Sequence, residues 1–125
     1  MPPISATLAT PVSDIVTTVV NPAWSLEGTT YASGSGVIYP GAVLALVNGK
    51  HQPVDFGGAG AEVDAAAVAY TQADATSADS FGVVLARGGV VDTAGLIWPV
   101  DTTAPQKTAA LTQLKALGIV AKAAL

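Results

Sequence analysis

The sequence predicts an α+β fold, in which a small barrel or sandwich of short β-strands is followed by one capped C-terminal helix. Between residues 37 and 100, short apolar runs alternate with turn signals at the spacing of a barrel or sandwich. Beyond residue 103, apolar residues recur at helical spacing behind an N-cap signal. With 125 residues, the chain fits one compact domain with an arm or tail.

Residues 1–36 are predicted to form an extended N-terminal arm. The segment is rich in Pro, Ser and Thr and shows no helical periodicity. Residues 15–20 are a β-branched run between Pro11 and Pro22, and such residues favour extended backbone. This run could add to the edge of a foreign sheet, or it could be the first strand of the domain's own sheet. The sequence leaves both open.

Residues 37–100 are predicted to contain two β-hairpins. The first turns at Asn48-Gly49, because both residues accept the positive φ of a type I′ turn. A Gly-rich loop at residues 57–60 separates it from the second hairpin, whose strands are joined by the polar segment 72–79. The predicted strands span residues 37–39, 42–47, 50–54, 66–71 and 80–87, with a further extended segment at 90–91.

A helix is predicted over residues 104–117. Thr103 and Gln106 have the spacing of a capping box, and Gly118 suits the position that follows a helix end. Residues 118–125 are then a C-terminal tail. The predicted helix–sheet core consists of Trp98, Leu111, Leu114 and Leu117.

The low charge indicates that part of the surface is covered by another chain. Charged residues make up 11% of the sequence and apolar residues 50%, whereas a comfortable monomer surface carries about 25–35% charged residues. Part of the surface is therefore expected to be buried against copies of the chain or against a partner. The alternative is an Ala-rich monomer whose surface is made of Ser, Thr and Gly.

Several partners are not expected. The net charge is −4 and the five basic residues are scattered, whereas nucleic-acid binding needs clustered Lys and Arg. The N-terminus lacks the features of a signal peptide, and every apolar run is shorter than the roughly 18 residues of a membrane-spanning helix. We expect a soluble protein that contacts neither nucleic acid nor membrane.

No catalytic, cofactor-binding or metal-binding residues are predicted. The single histidine, His51, has no cysteine or second histidine with which to hold zinc, and it is expected to be an exposed strand residue. No serine lies in a nucleophile elbow, and no calcium or phosphate loop is present. Turn capping accounts for Asp74, Asp79 and Asp101. This negative result favours a structural role.

The two tryptophans are assigned different roles. Trp98 lies between the β-segments and the helix, where a large ring fills core volume. Trp24 lies in the polar arm, where it is interpreted as an interface anchor.

An ordered set of motifs resembles the lambda-type phage head decoration protein family. The strand at residues 38–44 followed by Asn48-Gly49-Lys50 is similar to the first hairpin of that family. Its loop and second hairpin are matched by Asp74-Ala75-Thr76 and residues 80–88. The end is most specific: Leu96-Ile97-Trp98-Pro99, then the capped helix and Leu117-Gly118-Ile119-Val120. The resemblance covers residues 37–120; residues 57–62 look like a local insertion, and residues 1–36 have no counterpart in it.

The resemblance implies a β-tulip-like barrel of short antiparallel strands and a non-enzymatic role without cofactors. A homotrimer would bind the major capsid protein at three-fold or quasi-three-fold sites, on the outer surface of the expanded phage head. There it would stabilise the virion against internal DNA pressure, with N-terminal arms that add a strand to the capsid protein. The predicted capsid-binding arm consists of Ile15, Val16, Thr17, Thr18, Val19, Val20 and Trp24.

An alternative function is a carbohydrate-binding or host-surface-binding module displayed on the virion. Such a module requires exposed aromatic side chains on its β-strands.

Overall fold

A computed structural model describes residues 15–123, which form mostly β-strands with one main helix near the C-terminus. This confirms the predicted combination of short strands and a C-terminal helix. Residues 1–14 of the predicted arm, and residues 124 and 125, lie outside the described part of the chain. The strands are β1 (Val16–Val19), β2 (Leu26–Tyr31), β3 (Gly36–Ile38), β4 (Val43–Val47), β5 (Lys50–Pro53), β6 (Ala67–Ala69), β7 (Ala73–Ala75), β8 (Ser80–Leu85), β9 (Gly89–Asp92) and β10 (Ile119–Lys122). The helices are α1 (Pro22–Ser25) and α2 (Ala104–Ala116).

Five strands hydrogen-bond in the order β2–β5–β4–β6–β8, and β8 pairs back onto β2. The β2–β8 pair is antiparallel along all of β2, from Leu26 opposite Leu85 to Tyr31 opposite Ser80. The β2–β5 contact is much shorter, because it joins only Tyr31 and His51. One narrow seam therefore completes the ring.

The run at residues 15–20 belongs to the domain's own sheet. β1 pairs antiparallel with β9, and β9 pairs in parallel with β10. Ile15 and Val16 are buried in the core, where removal of their apolar side chains from water stabilises the fold. The predicted arm boundary at residue 36 is therefore wrong for residues 15–36, which carry β1 and β2. The predicted tail after residue 118 is likewise a strand, β10, with Ile119 buried.

The segment predicted as the first strand, residues 37–39, does not pair with its neighbour β4. It forms β3, which pairs antiparallel with β7, so that Val37 lies opposite Asp74. β7 lies inside the segment that was predicted to be a turn between strands. The hydrogen bonds of that segment are made to a strand about 36 residues away in sequence, which no local signal reveals.

Two local predictions are confirmed by the backbone geometry. The turn between β4 and β5 has φ of 52° at Asn48 and 79° at Gly49, as a type I′ turn requires. α2 begins with a complete capping box between Thr103 and Gln106. Gly118 then has a φ of 82°, which lets the chain leave the helix and enter β10.

The largest buried cluster joins α2 to the five-stranded ring and to the β1–β9–β10 sheet. Ala110 and Leu114 of α2 pack with Ile119 of β10, and the same cluster contains Val43 of β4 and Leu85 of β8. Because side chains alternate along a strand, Leu44 points away from this cluster and into a second one around Tyr31. The fold thus fixes α2, β1 and β10 firmly against the five-stranded ring.

Candidate functional site

The first half of the predicted arm is divided between core and surface. Ile15 and Val16 are buried, and the chain passes so close to Gly95 that a β-carbon there would lie 2.8 Å from Ile15 Cγ1. Val19 lies opposite Gly89 and packs against the core cluster. Ile15 and Val16 are thus buried within the fold, and Val19 is partly buried there.

The other side chains of β1, and Val20 just after it, face solvent. Thr17 and Thr18 are exposed, and the Thr17 hydroxyl donates a hydrogen bond to the Val90 carbonyl oxygen at 3.2 Å. Val20 is 66% exposed, while its N–H donates to the Gly88 carbonyl oxygen at 3.0 Å. The backbone of this segment is fixed, and its outer side chains remain free for a partner.

Trp24 lies on α1 next to these residues and is 51% exposed. Its ring packs on Gly88, and the Arg87 guanidinium carbon lies 5.9 Å from the ring centroid. Arg87 also donates to the Trp24 carbonyl oxygen and forms an ion pair with Glu27. The indole is therefore held in one place while half of its surface faces outward. We call Val20 and Trp24 the Trp24 surface.

A cleft of about 330 Å³ lies on the other side of Arg87. Two leucines with exposed side chains, Leu46 of β4 and Leu117 at the end of α2, line it. We call these two residues the Leu46 surface.

His51 also lines this cleft, but it is only 6% exposed, so the prediction of an exposed strand residue is wrong. Its Nδ1 lies 2.6 Å from the Thr29 hydroxyl oxygen. Burial lowers the pKa of His51, and the nearby Glu27 carboxylate opposes this shift. We interpret His51, buried and hydrogen-bonded to Thr29, as a structural residue.

A third exposed apolar surface lies next to the start of β4. Ile97 is joined to this region by its N–H, which donates to the Gly41 carbonyl oxygen at 2.8 Å. Val37 and Ile97 are exposed and line a cavity of about 110 Å³, and Val100 nearby in the chain is 90% exposed. We call Val37 and Ile97 the Ile97 surface.

The Ile97 and Leu46 surfaces lie at opposite ends of β4. Ile97 forms a bridge with Ala42, immediately before the strand, and Leu46 lies near its last residue. Four residue steps of extended chain separate Ala42 from Leu46 by about 13 Å. One copy of the chain thus carries apolar side chains at two distinct places.

The predicted helix–sheet core is only partly a core. Leu114 is fully buried, and Leu111 and Trp98 are half-buried and pack against the main cluster. The Trp98 ring stacks with Phe56 at a centroid distance of 6.5 Å. Leu117 is exposed, because α2 ends at Ala116 and the turn at the C-cap directs this side chain toward the cleft.

Two of the carboxylates that the sequence assigns to turn capping, Asp79 and Asp74, accept hydrogen bonds in the folded protein. The Lys50 ammonium, 2.6 Å away, lowers the pKa of Asp79, with help from the Ser33 N–H. The Thr76 hydroxyl and N–H lower the pKa of Asp74 in the same way. Within residues 15–123, no three His, Cys, Asp or Glu side chains are placed to share a metal ion. Over the same residues, no helix has the length and apolarity needed to cross a membrane.

The Leu46 and Ile97 surfaces and the 73% exposed Phe81 of β8 were not predicted from the sequence. Strand alternation shows that Leu44 and Leu46 share one face of β4, but it does not show that only Leu44 is covered. The available signal was the excess of apolar over charged residues, which indicates that some apolar side chains must stay exposed.

Comparison with known proteins identifies the family. The family model described as bacteriophage lambda head decoration protein D matches residues 7–119 of the chain. This match begins 30 residues before the region in which motifs are recognisable by eye, so it includes β1, α1 and β2. No curated protein sequence matches the chain significantly. The chain belongs to the bacteriophage lambda head decoration protein D family, a family of structural proteins associated with the phage capsid.

Proposed function

We propose that this protein binds as a homotrimer at three-fold or quasi-three-fold sites on the outer surface of the expanded phage head. In this proposal it contacts the major capsid protein and stabilises the shell against internal DNA pressure, without enzymatic activity. The five-stranded ring is then the β-tulip-like barrel of the subunit. The observation that carries the proposal is the presence of two separate apolar surfaces at opposite ends of β4.

A cyclic trimer requires two different surfaces on each copy, because every subunit meets its neighbours head to tail. The Leu46 surface of one copy, facing the cleft, would receive the Ile97 surface of the next. Burial of both sets of apolar side chains would account for the low charge of the chain. The few charged residues near the cleft, Arg87 and Glu27, already form an ion pair and can remain at the rim.

The Trp24 surface is left for the capsid. Its indole is held against Gly88 and tethered by Arg87, so little side-chain freedom is lost on binding. Thr17 and Thr18 extend this surface along β1, whose outer edge is unpaired within residues 15–123. Three copies of such a surface give a trimer avidity without tight single contacts.

Stabilisation follows from state-selective binding. A trimer that matches only the spacing of the expanded lattice binds that lattice and not the unexpanded one. Binding then shifts the equilibrium toward the expanded state by mass action. No change within the subunit is needed.

The trimer interface is tested by light scattering on variants of the free protein. Leu46→Asp and Ile97→Asp each place a carboxylate in the interface, so both should give the mass of a monomer, whereas the unchanged protein gives that of a trimer. Phe81→Asp is the matched control, because Phe81 is also exposed but lies on neither surface. A trimer mass for either interface variant contradicts this interface, and a monomer mass for the unchanged protein contradicts assembly of the trimer before it binds the shell.

Phe81 is the observation that favours the alternative function of glycan binding, because its ring is 73% exposed on β8 and lies over Gly28. An isolated aromatic ring offers a sugar one stacking face. A polysaccharide pull-down in which the unchanged protein is retained and Phe81→Ala is lost would favour this second function.

A further inference from the structure

We propose that the groove between α2 and β10 binds an acidic, extended peptide segment of a partner protein, which adds as a strand to the outer edge of β10. None of the groove residues belongs to the Trp24, Leu46 or Ile97 surfaces. The proposal therefore stands on separate observations and goes beyond the proposed function.

The first observation is an open strand edge. β10 pairs with β9 on one side, and no strand within residues 15–123 pairs with its other side. The Gly89 N–H donates to the Gly118 carbonyl oxygen at 3.1 Å, and Ile119 lies opposite Gly89. Because backbone groups alternate along a strand, the N–H and C=O of Ile119 and Ala121 point to the open side. Such an edge is a template for an added strand.

The second observation is a groove along this edge. A cavity of about 260 Å³ separates β10 from one face of α2. A strand added to β10 would direct alternate side chains into it. The residues that line it are Thr108, Leu111, Thr112 and Lys115 of α2 and Val120 and Ala121 of β10.

The α2 wall of the groove offers an apolar lining for those side chains. The Thr108 hydroxyl donates to the Ala104 carbonyl oxygen at 3.1 Å, and the Thr112 hydroxyl donates to the Thr108 carbonyl oxygen at 3.0 Å. Both hydroxyl groups thus already donate a hydrogen bond within the helix, so they need no acceptor from a bound peptide. Leu111, half-buried between them, supplies apolar surface.

The third observation is charge. Lys50 and Arg87 are paired with Asp79 and Glu27, and the other three basic residues all lie in residues 102–125, which contain no Asp or Glu. Lys115 lines the groove and Lys122 lies on β10, and neither forms an ion pair within the described chain. Lys122 lies in register with Asp92 of β9, so the positive charge of the groove rests mainly on Lys115. Charge complementarity selects an acidic segment.

The test uses a synthetic ten-residue peptide, Val-Thr-Glu-Thr-Val-Thr-Glu-Thr-Val-Thr, whose Val and Glu side chains share one strand face. It is titrated into the full-length ¹⁵N-labelled protein at about 0.15 M salt, where the Debye length is about 8 Å. Binding should shift the resonances of β10 and slow the hydrogen exchange of the Ile119 and Ala121 amides. Lys115→Glu should weaken binding about fivefold, as expected when an attractive exposed charge becomes repulsive. Lys107→Glu makes the same change of charge about 12 Å along the helix, outside the groove, and should leave the affinity unchanged.

Several results would overturn the proposal. They are an absence of binding, unprotected Ile119 and Ala121 amides, or equal effects of the two lysine variants. A peptide of the same sequence with N-methylated amides on one edge keeps its charge but loses its strand-pairing donors. If it binds as tightly as the parent peptide, the contact is with charge alone. If the unliganded protein already protects these amides by self-association, a second copy of the chain occupies the edge instead.

Discussion

The Trp24 indole packs on Gly88 so closely that a β-carbon at residue 88 would overlap the ring. Gly88 has a φ of 62°, a conformation that side-chain-bearing residues adopt at a cost. Its carbonyl oxygen accepts hydrogen bonds from the buried Ser25 hydroxyl at 2.9 Å and from the Val20 N–H. This single residue therefore anchors the β1–α1 segment to the end of β8.

Gly88→Ala is expected to lower the free energy of unfolding by more than the roughly 1–2 kcal/mol that left-handed backbone alone costs. The excess comes from the clash with Trp24. Urea denaturation measures it against Gly49→Ala, because Gly49 has a similar φ of 79° and open space around it. In a Trp24→Ala background, the cost of Gly88→Ala should fall to that of Gly49→Ala. An unchanged cost would show that the ring does not constrain residue 88.

Leu114→Ala and Leu117→Ala should differ sharply, although both leucines belong to the predicted stripe of one helix. Leu114 is fully buried, and truncation of such a side chain costs about 2–5 kcal/mol. Leu117 is exposed, so its truncation should change unfolding by about 0.5 kcal/mol or less. Chemical denaturation of monomeric protein, in an Ile97→Asp background, separates folding from assembly. Similar losses for the two variants would mean that Leu117 is part of the core.

Stability should decline as the pH falls below about 6.5, because burial lowers the pKa of His51 in the folded state. The unfolded chain then binds a proton that the folded chain does not, so stability is lost from pH 6.5 downward, by at most about 1.4 kcal/mol per pH unit. The carboxylates with lowered pKa values act in the same direction but only near and below their ordinary values of 3.8 to 4.5. Thermal unfolding between pH 5 and 7 measures the effect. His51→Gln should flatten the profile, and an equally steep profile would assign the proton to another group.

The parts of the fold that sequence could predict are those fixed by neighbouring residues. The capping box at Thr103 and Gln106 and the Asn48-Gly49 turn are local geometry, and both are present as predicted. The turn in particular depends only on two residues that tolerate positive φ.

Pairing between distant segments escaped prediction. The run at residues 15–20 shows an extended backbone, but nothing in it specifies β9 as the partner, about 70 residues away. β2 looks polar in sequence, since its residues include Glu27, Gly28, Thr29 and Thr30, yet it pairs with β8 along its whole length and buries Tyr31. β10 is only four residues long, and it is recognised as a strand only through its pairing with β9.

The sequence predicted that apolar surface would be exposed for a partner, but it did not predict most of the residues that form this surface. The low proportion of charged residues predicted that part of the surface is covered by another chain. Trp24 was predicted to be an aromatic interface anchor, and its 51% exposure permits this role. Ile15 and Val16 were assigned to the capsid-binding arm, because a β-branched run has the same pattern whether it packs in a core or pairs with a partner. The Leu46 and Ile97 surfaces depend on how β4 is covered, which only the packed fold determines.

Selective decoration of expanded heads by a trimer is measured by co-sedimentation of the protein with shells before and after expansion. We expect saturable binding to expanded shells, in steps of three copies per three-fold or quasi-three-fold site, and no binding to unexpanded shells. Equal binding to both shells, or a saturation level that is not a multiple of three copies per site, would contradict it.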